Sequence, residues 1–421
     1  MAGTSTLAPS SMLVLTGNSL VRLFSVGLRA ILTLAMAVWL EPSELGLYAV
    51  VAATLTLTVY FYGLDFQAYT MRELSISDLA GARHRVRDQF ALLVLVYAVG
   101  SVVLAAILMC LKLTPAFVGI IVPMAVLQHA SMEFYRVLNR LGRPVAGTTV
   151  LLIRDSAWVP LCLAIKLVTG HLLLVHVLVF WLVGSVASAT YGALLLMKWL
   201  PRSERRPVDL AWLASGLRTG LRMLIGTLSG IALFTVDRMI FATLATPDEL
   251  GAYAFFALGC TSLQGLFESA VLPSFWAPML QAKTDGDEVA YRRAERNLAR
   301  VCLIATAALV LLSVSILSAL TFVLPHPAYA ANRHLLYLIT AAYALLTLAN
   351  IPHYRLYAAK LDTSIVTAKV SAFVLFLALT AVLVTVARPI AVPCALALSC
   401  AWLFGVEMHM ARRVDQKAAA A

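Results

Sequence analysis

Charge is what this sequence has least of. Only 13% of its 421 residues are Asp, Glu, Lys or Arg, while 61% are hydrophobic and mean hydropathy is +0.89. Soluble domains carry roughly twice that share of charge, so a water-soluble globule is excluded. No HExxH is present to hold zinc, and no GxxxxGK to cradle a nucleotide phosphate, which argues against ATP hydrolysis by this chain. The six cysteines (110, 162, 260, 302, 394 and 400) have no CxxC spacing and all fall in apolar runs. Free buried thiols are therefore expected, not disulfides or metal ligands. Residues 1–11 lack Lys and Arg, a poor start for a cleaved signal peptide, so the first helix is expected to be retained.

What the chain does have is apolar stretches of about 20 residues from end to end, the length that crosses a bilayer as helix. Twelve spans can be placed, among them 13–39, 46–70, 146–168, 220–244, 251–280, 364–386 and 390–410. The net charge of +11 would suggest nucleic acid in a soluble protein. Here the basic residues instead sort by side of the membrane. One side holds Arg72, Arg83, Arg85 and Arg87; Arg136, Arg140 and Arg143; Lys198, Arg202, Arg205 and Arg206; Lys283, Arg292, Arg293 and Arg296; Arg355 and Lys360; and Arg412, Arg413 and Lys417. The other has only Lys112, Lys166, Arg333 and Arg388. The rich side is expected to be cytoplasmic, with both termini there.

One motif occurs twice. Glu41–Ala49 reads EPSELGLYA and Thr246–Ala254 reads TPDELGAYA, 205 positions apart. Each copy follows the first span of a set of six and opens the next, on the outward side. Six spans return the chain to its starting side, so the halves are expected to be parallel repeats, residues 1–203 and 204–421, divided at the linker PRSERRP (201–207). Leu210–Leu217 reads as a surface amphipathic helix leading into the seventh span. Within the motif, Ser43 and Asp248 suit helix N-caps, Glu44 and Glu249 favour the helix N-terminus, Gly46 and Gly251 permit close packing, and Tyr48 and Tyr253 suit the membrane interface.

Two stretches resemble a known family. ELGLYA followed by GLDFQAYTMREL (63–74), and VDRMIFATLATPDELGAYA (236–254), look like the polysaccharide-biosynthesis, O-antigen flippase family. That family belongs to the superfamily that also holds multidrug exporters and the lipid II flippase. The resemblance implies an all-α membrane fold of two six-helix lobes around a central cavity, working by alternating access. It also implies a bacterial inner-membrane protein that is not an enzyme. Its substrate would be an oligosaccharide on a polyprenyl diphosphate, moved from inner to outer leaflet, with polysaccharide polymerase and chain-length proteins as further partners and no nucleic acid. No cofactor is implied beyond a coupling H+ or Na+.

The spans hold charges that such work needs, and a charge at mid-bilayer costs roughly 2.5–3.5 kcal/mol unless it meets a partner, water or ligand. Arg22 and Arg29 lie two turns apart on one face of the first span, about 10 Å along its axis. Arg154 and Asp155 lie in the fifth span, Asp237 and Arg238 in the seventh, Lys369 in the eleventh. Neighbours on a helix point about 100° apart, so neither adjacent pair is expected to close on itself. An Arg22–Asp65 pair across the first hairpin is expected instead. Arg29 and Arg154, helped by Arg22, are candidates to present guanidinium forks to the lipid diphosphate, with Lys369 extending the positive site. Asp237 and Arg238, which match the family's acid–basic pair in that span, are candidates for a gate or a lock between the halves. Asp65, Glu268 and Glu407 are candidates to bind the coupling ion. The second half has Phe234 and Thr227 where the first has Arg29 and Arg22.

Other features carry less. Gly226 and Gly230 form a GxxxG, Pro273 and Pro278 sit in the eighth span, and Tyr60, Phe61 and Tyr62 offer rings. His129 and His176 read as satisfied packing or interface residues. Two other readings compete. A cation-coupled multidrug exporter shares the fold but calls for an acidic or apolar site. A membrane polysaccharide polymerase or ligase calls for a large outward loop, and the longest outward connection, Leu324 to Arg333, is short.

Overall fold

The computed structural model describes residues 9–74, 79–110, 113–200 and 206–420. Residues 201–205 of the expected linker, with Arg202 and Arg205, lie outside the described residues. So do Lys112, the tail 1–8, and the side chains of Arg72 and Lys417.

The described residues are almost wholly helical. The first nine helices are α1 (Pro9–Trp39), α2 (Pro42–Gly63), α3 (Gln67–Glu73), α4 (Leu79–Cys110), α5 (Pro115–Arg140), α6 (Pro144–Asp155), α7 (Val159–Thr169), α8 (Leu174–Trp199) and α9 (Leu210–Ala232). They continue as α10 (Val236–Leu244), α11 (Pro247–Leu266), α12 (Pro273–Thr284), α13 (Glu288–Leu312), α14 (Ser318–Val323), α15 (Ala328–Ala331), α16 (Arg333–Ala358), α17 (Asp362–Leu383) and α18 (Arg388–Ala420). Ten described helices are long and apolar enough to cross a membrane, and α9 with α10 makes an eleventh, bent by 46°. The expected fifth span is present as two shorter helices, α6 and α7.

Packing divides the chain into two compact units. One joins the first helix through Arg29 to Thr58–Arg222; the other joins Ala30–Leu57 to Met223–Ala421. The cuts fall inside α1, α2 and α9, so these units are a different division from the sequence halves. In the first unit α5, α6 and α8 pack together and α4 joins α5. In the second, α18 lies against α16 and α17, and α13 against α12 and α16.

The two copies of the repeated motif meet inside the second unit. A Cβ on Gly251 would strike the carbonyl of Pro42, and one on Gly46 would stand 2.7 Å from Leu250 Cγ. The first turns of α2 and α11 therefore touch backbone to backbone, which only glycine allows. The caps differ from the expectation of Ser43 and Asp248. Thr246 caps α11 in a reciprocal box: its hydroxyl accepts from the Glu249 N–H (3.3 Å), and Glu249 Oε2 accepts from the Thr246 N–H (2.7 Å). In the first copy Glu44 Oε2 accepts from the Glu41 N–H (3.3 Å). Pro42 and Pro247 fix the reason: proline suits the first helical position, which moves the cap one residue before it. Tyr253 is fully buried and Tyr48 nearly so.

Among the described residues, four of the breaks in the spans have a clear local cause. After α2, Leu64 and Asp65 take positive φ (48° and 50°) before α3 begins. Gly220 packs there, its would-be Cβ 2.5 Å from the Leu64 carbonyl. Between α6 and α7 the backbone leaves helical geometry at Ser156 (φ −153°), and Pro160 near the start of α7 cannot donate to a continuing ladder. Between α9 and α10, Phe234 and Thr235 make tight i→i−3 bonds, and the Thr235 hydroxyl bonds back to the Ile231 carbonyl (2.9 Å). After α11, residues Phe267–Val271 form a π turn, with the Leu272 N–H on the Phe267 carbonyl (2.9 Å); Pro273 follows and supplies no N–H.

Candidate functional site

Six of the intramembrane charges sit at these breaks. Asp65 lies in the first, Arg154 and Asp155 close α6, Asp237 and Arg238 open α10, and Glu268 lies in the π turn. A broken helix leaves backbone groups that need partners, and polar side chains collect where the ladder is interrupted.

In the first unit, the expectation that Arg154 and Asp155 face apart is corrected. Arg154 Nε donates to Asp155 Oδ1 at 2.7 Å and a terminal nitrogen donates to Oδ2 at 3.1 Å, a bidentate pair between neighbours. Asp155 is the last residue of α6, and the backbone leaves helical geometry only at Ser156. Arg87 and Asp88 close on each other in the same way inside α4, Nε to Oδ1 at 2.9 Å. Neighbours on a helix can therefore pair when both side chains turn toward each other. Arg154 also donates to the Gln128 carbonyl (3.3 Å) and is 8% exposed. Its fork is thus occupied by protein. Arg29 lies close enough for its charge to act on Asp155, and its side chain is exposed. Ser156 donates to Ser25 (2.9 Å), tying α1 to the break. Arg22 donates to the Tyr135 hydroxyl at 2.9 Å rather than pairing with Asp65 as expected. Asp65 accepts from Gln67 (3.2 Å) and is buried. Two guanidiniums, Arg154 and Arg29, act on the one carboxylate of Asp155.

A second polar group in the first unit was not read from the sequence. Glu133, 1% exposed, accepts from Gln89 Nε2 (2.7 Å) and Arg136, and His129 Nε2 stands 3.4 Å from it. His129 Nδ1 shares a 2.7 Å hydrogen bond with the Tyr97 hydroxyl. The spacings were available: His129 and Glu133 are one turn apart, as are Glu133 and Arg136. A buried carboxylate so surrounded binds α4 to α5. Tyr62 is a core residue bonded to Ser101 (3.3 Å), while Phe61 is exposed.

In the second unit the adjacent pair does separate. Asp237 accepts from the Tyr253 hydroxyl on α11 (2.6 Å). Arg238 donates to the Tyr343 hydroxyl on α16 (3.3 Å) and to Thr261 (3.4 Å). Both charges are nearly inaccessible, and Asp237 Oδ1 and Arg238 Nε have no hydrogen-bond partner among the described residues. The partner tyrosines were not read from the sequence, although Tyr253 belongs to the repeated motif.

The same face of α11 continues as Thr261, Gln264 and Glu268, steps of three and four that keep to one side of a helix. Gln264 donates to Glu268 (2.9 Å), which also feels the charges of Lys369 and His353. His353 Nδ1 lies 3.3 Å from Glu407 Oε1, and Glu407 is 1% exposed. Glu268, Lys369 and Glu407 are therefore brought into one neighbourhood through His353, which was not singled out in the sequence. The Lys369 stem passes 3.2 Å from the position a Cβ on Gly230 would take, and Gly226 packs likewise on Val366, so the GxxxG seats α9 against α17.

No family model matches the chain, and no curated protein matches it in sequence. Solved structures match in fold. An inward-facing multidrug resistance MATE family transporter of the MOP superfamily aligns with TM-score 0.68 at 12% identity, covering 94% of this chain and 97% of its own. The lipid II flippase MurJ, in an inward closed conformation, aligns with TM-score 0.68 at 12% identity, covering 94% of this chain and 87% of its own. A MOP superfamily transporter from Pyrococcus furiosus, described as having a binding pocket of reverse polarity, aligns with TM-score 0.65 at 13% identity, covering 95% and 94%. The chain has the all-helical, two-lobe membrane fold of these proteins.

Proposed function

We propose that this protein is a flippase that carries an oligosaccharide on a polyprenyl diphosphate from the inner to the outer leaflet of a bacterial cytoplasmic membrane. The observation that supports this reading is the pair of guanidiniums acting on Asp155, Arg154 bound to it and Arg29 near it at an exposed position of α1, with Arg22 two turns away on the same helix. Arg29 is the residue assigned to the diphosphate. Arg154 holds Asp155, and so positions the group that Arg29 sees. A guanidinium in a site shielded from bulk water favours phosphate oxygens and gives a forked, directional contact.

Transport requires that opposite faces open in turn. The backbone contact of the two motif copies is assigned to the outer gate, with 1–203 and 204–421 as the moving lobes and both termini cytoplasmic. The open valences of Asp237 Oδ1 and Arg238 Nε suit a pair that changes partners between states. Glu268, with Lys369, His353 and Glu407 near it, is assigned to the coupling H+ or Na+. A second reading, a cation-coupled multidrug exporter, is favoured by the carboxylates of the second unit and by the MATE fold, but it leaves the arginines of the first unit without a role. No catalytic residue is assigned.

The experiment is depletion of the protein in its own cells, with lipid-linked oligosaccharide assayed in each leaflet. The reading predicts accumulation in the inner leaflet, restored to normal by the wild-type gene. Arrival in the outer leaflet at the normal rate would overturn it.

A further inference from the structure

The second unit carries one sizeable cavity that the transport reading does not use. It lies along α17 and α18, has a volume of about 710 Å³, and is walled by Leu375 and Leu379 on one side and Leu398, Trp402, Gly405 and His409 on the other. Nearly all of its lining is carbon. Trp402 is 48% exposed, yet its indole N–H is fixed by the Ser371 hydroxyl at 3.0 Å, so this wall is held in place without a ligand.

Gly405 shows that the space is built by the sequence. Glycine is unfavourable inside a helix and is usually kept for close packing. A Cβ on Gly405, however, would meet nothing within 4 Å, whereas one on Gly226 would stand 2.7 Å from Val366. The missing side chain opens the groove and serves no helix contact. Leu398, Trp402, Gly405, His409 and Arg412 follow at steps of four and three, so one stripe of α18 runs from apolar groove floor to a basic end. His409, Arg412 and Arg413 are all exposed, and the charge map assigns that end to the cytoplasmic side.

We propose that this groove is a binding site for an anionic phospholipid of the inner leaflet. One acyl chain lies along Leu398–Gly405, and the headgroup phosphate rests against His409 and Arg412, with Arg413 adding charge. The groove supplies contact area for a chain that would otherwise be bulk lipid. The basic end supplies the preference for a negative headgroup, at roughly fivefold in affinity for each arginine near an anionic surface. This assignment is independent of the transported substrate.

The test is native mass spectrometry of the purified full-length protein released from micelles doped with palmitoyl-oleoyl-phosphatidylglycerol or with the matching phosphatidylcholine. Wild-type protein is expected to retain at least about tenfold more phosphatidylglycerol. Gly405→Leu, which fills open space, is expected to lose that retained lipid while eluting and melting as the wild type does. Arg412→Gln with Arg413→Gln, both on the surface, is expected to abolish the preference between the two lipids. Equal retention of both lipids by the wild type would overturn the proposal. So would an unchanged preference in the double arginine variant, which gives this reading even if Gly405→Leu does not fold.

Discussion

Arg154–Asp155 in the first unit and Asp237–Arg238 in the second are both adjacent opposite charges at a broken span, and they are treated in opposite ways. The first pair ends a helix. Its acid is the last helical residue and closes on its neighbour at 2.7 Å. The second pair begins a helix, and each charge goes to a tyrosine on a different helix. The first arrangement pairs Arg154 with Asp155, and Arg29 lies close enough to act on the same carboxylate from an exposed position. The second buries both charges and spends them on holding α10 to α11 and α16. The partners available on other helices, Tyr253 and Tyr343 in the second unit, separate the two treatments of the same residue pair.

The comparison can be broken in each unit. The largest effect is expected for Asp155→Ala, which leaves the buried Arg154 without its partner. Removing one member of a buried pair costs about 3–5 kcal/mol, so the variant should unfold markedly earlier in denaturant or heat than the wild type. Unchanged stability would mean that Arg154 is not held by Asp155. Tyr253→Phe should cost about 1–3 kcal/mol by leaving Asp237 without its donor, with no direct effect on anion binding. Stability equal to wild type there would remove the contrast between the two pairs. The smallest effect is expected for Thr246→Ala, a cap on the exposed first turn of α11, at about 1 kcal/mol of stability, read from the unfolding midpoint.

Much of this organisation was legible in residues. Hydropathy located the spans, and the repeated motif correctly marked two equivalent helix starts, because Pro, Glu and Gly at those positions follow from local helix-entry physics. The charges were also found, since ionisable residues in apolar runs are conspicuous. What could not be read was which helix each charge meets. The closure of Arg154 on Asp155 depends on the side-chain rotamers that the surrounding packing selects, which residue spacing does not fix. The Arg22–Tyr135 bond, the Tyr253 and Tyr343 partners and the His353 bridge to Glu407 are contacts across 16 to 113 positions of sequence. The meeting of Gly46 with Leu250 is likewise a tertiary fact, although the repeated motif already marked both glycines as permitting close packing.

Binding of a polyprenyl diphosphate to purified wild-type and Arg29→Ala protein tests the central claim most directly. Hydrogen bonds to a charged group contribute about 1.5–3 kcal/mol, so the variant should bind roughly 10- to 100-fold more weakly while unfolding at the wild-type midpoint. Equal affinity in the two proteins would contradict the assignment of Arg29 to the lipid diphosphate.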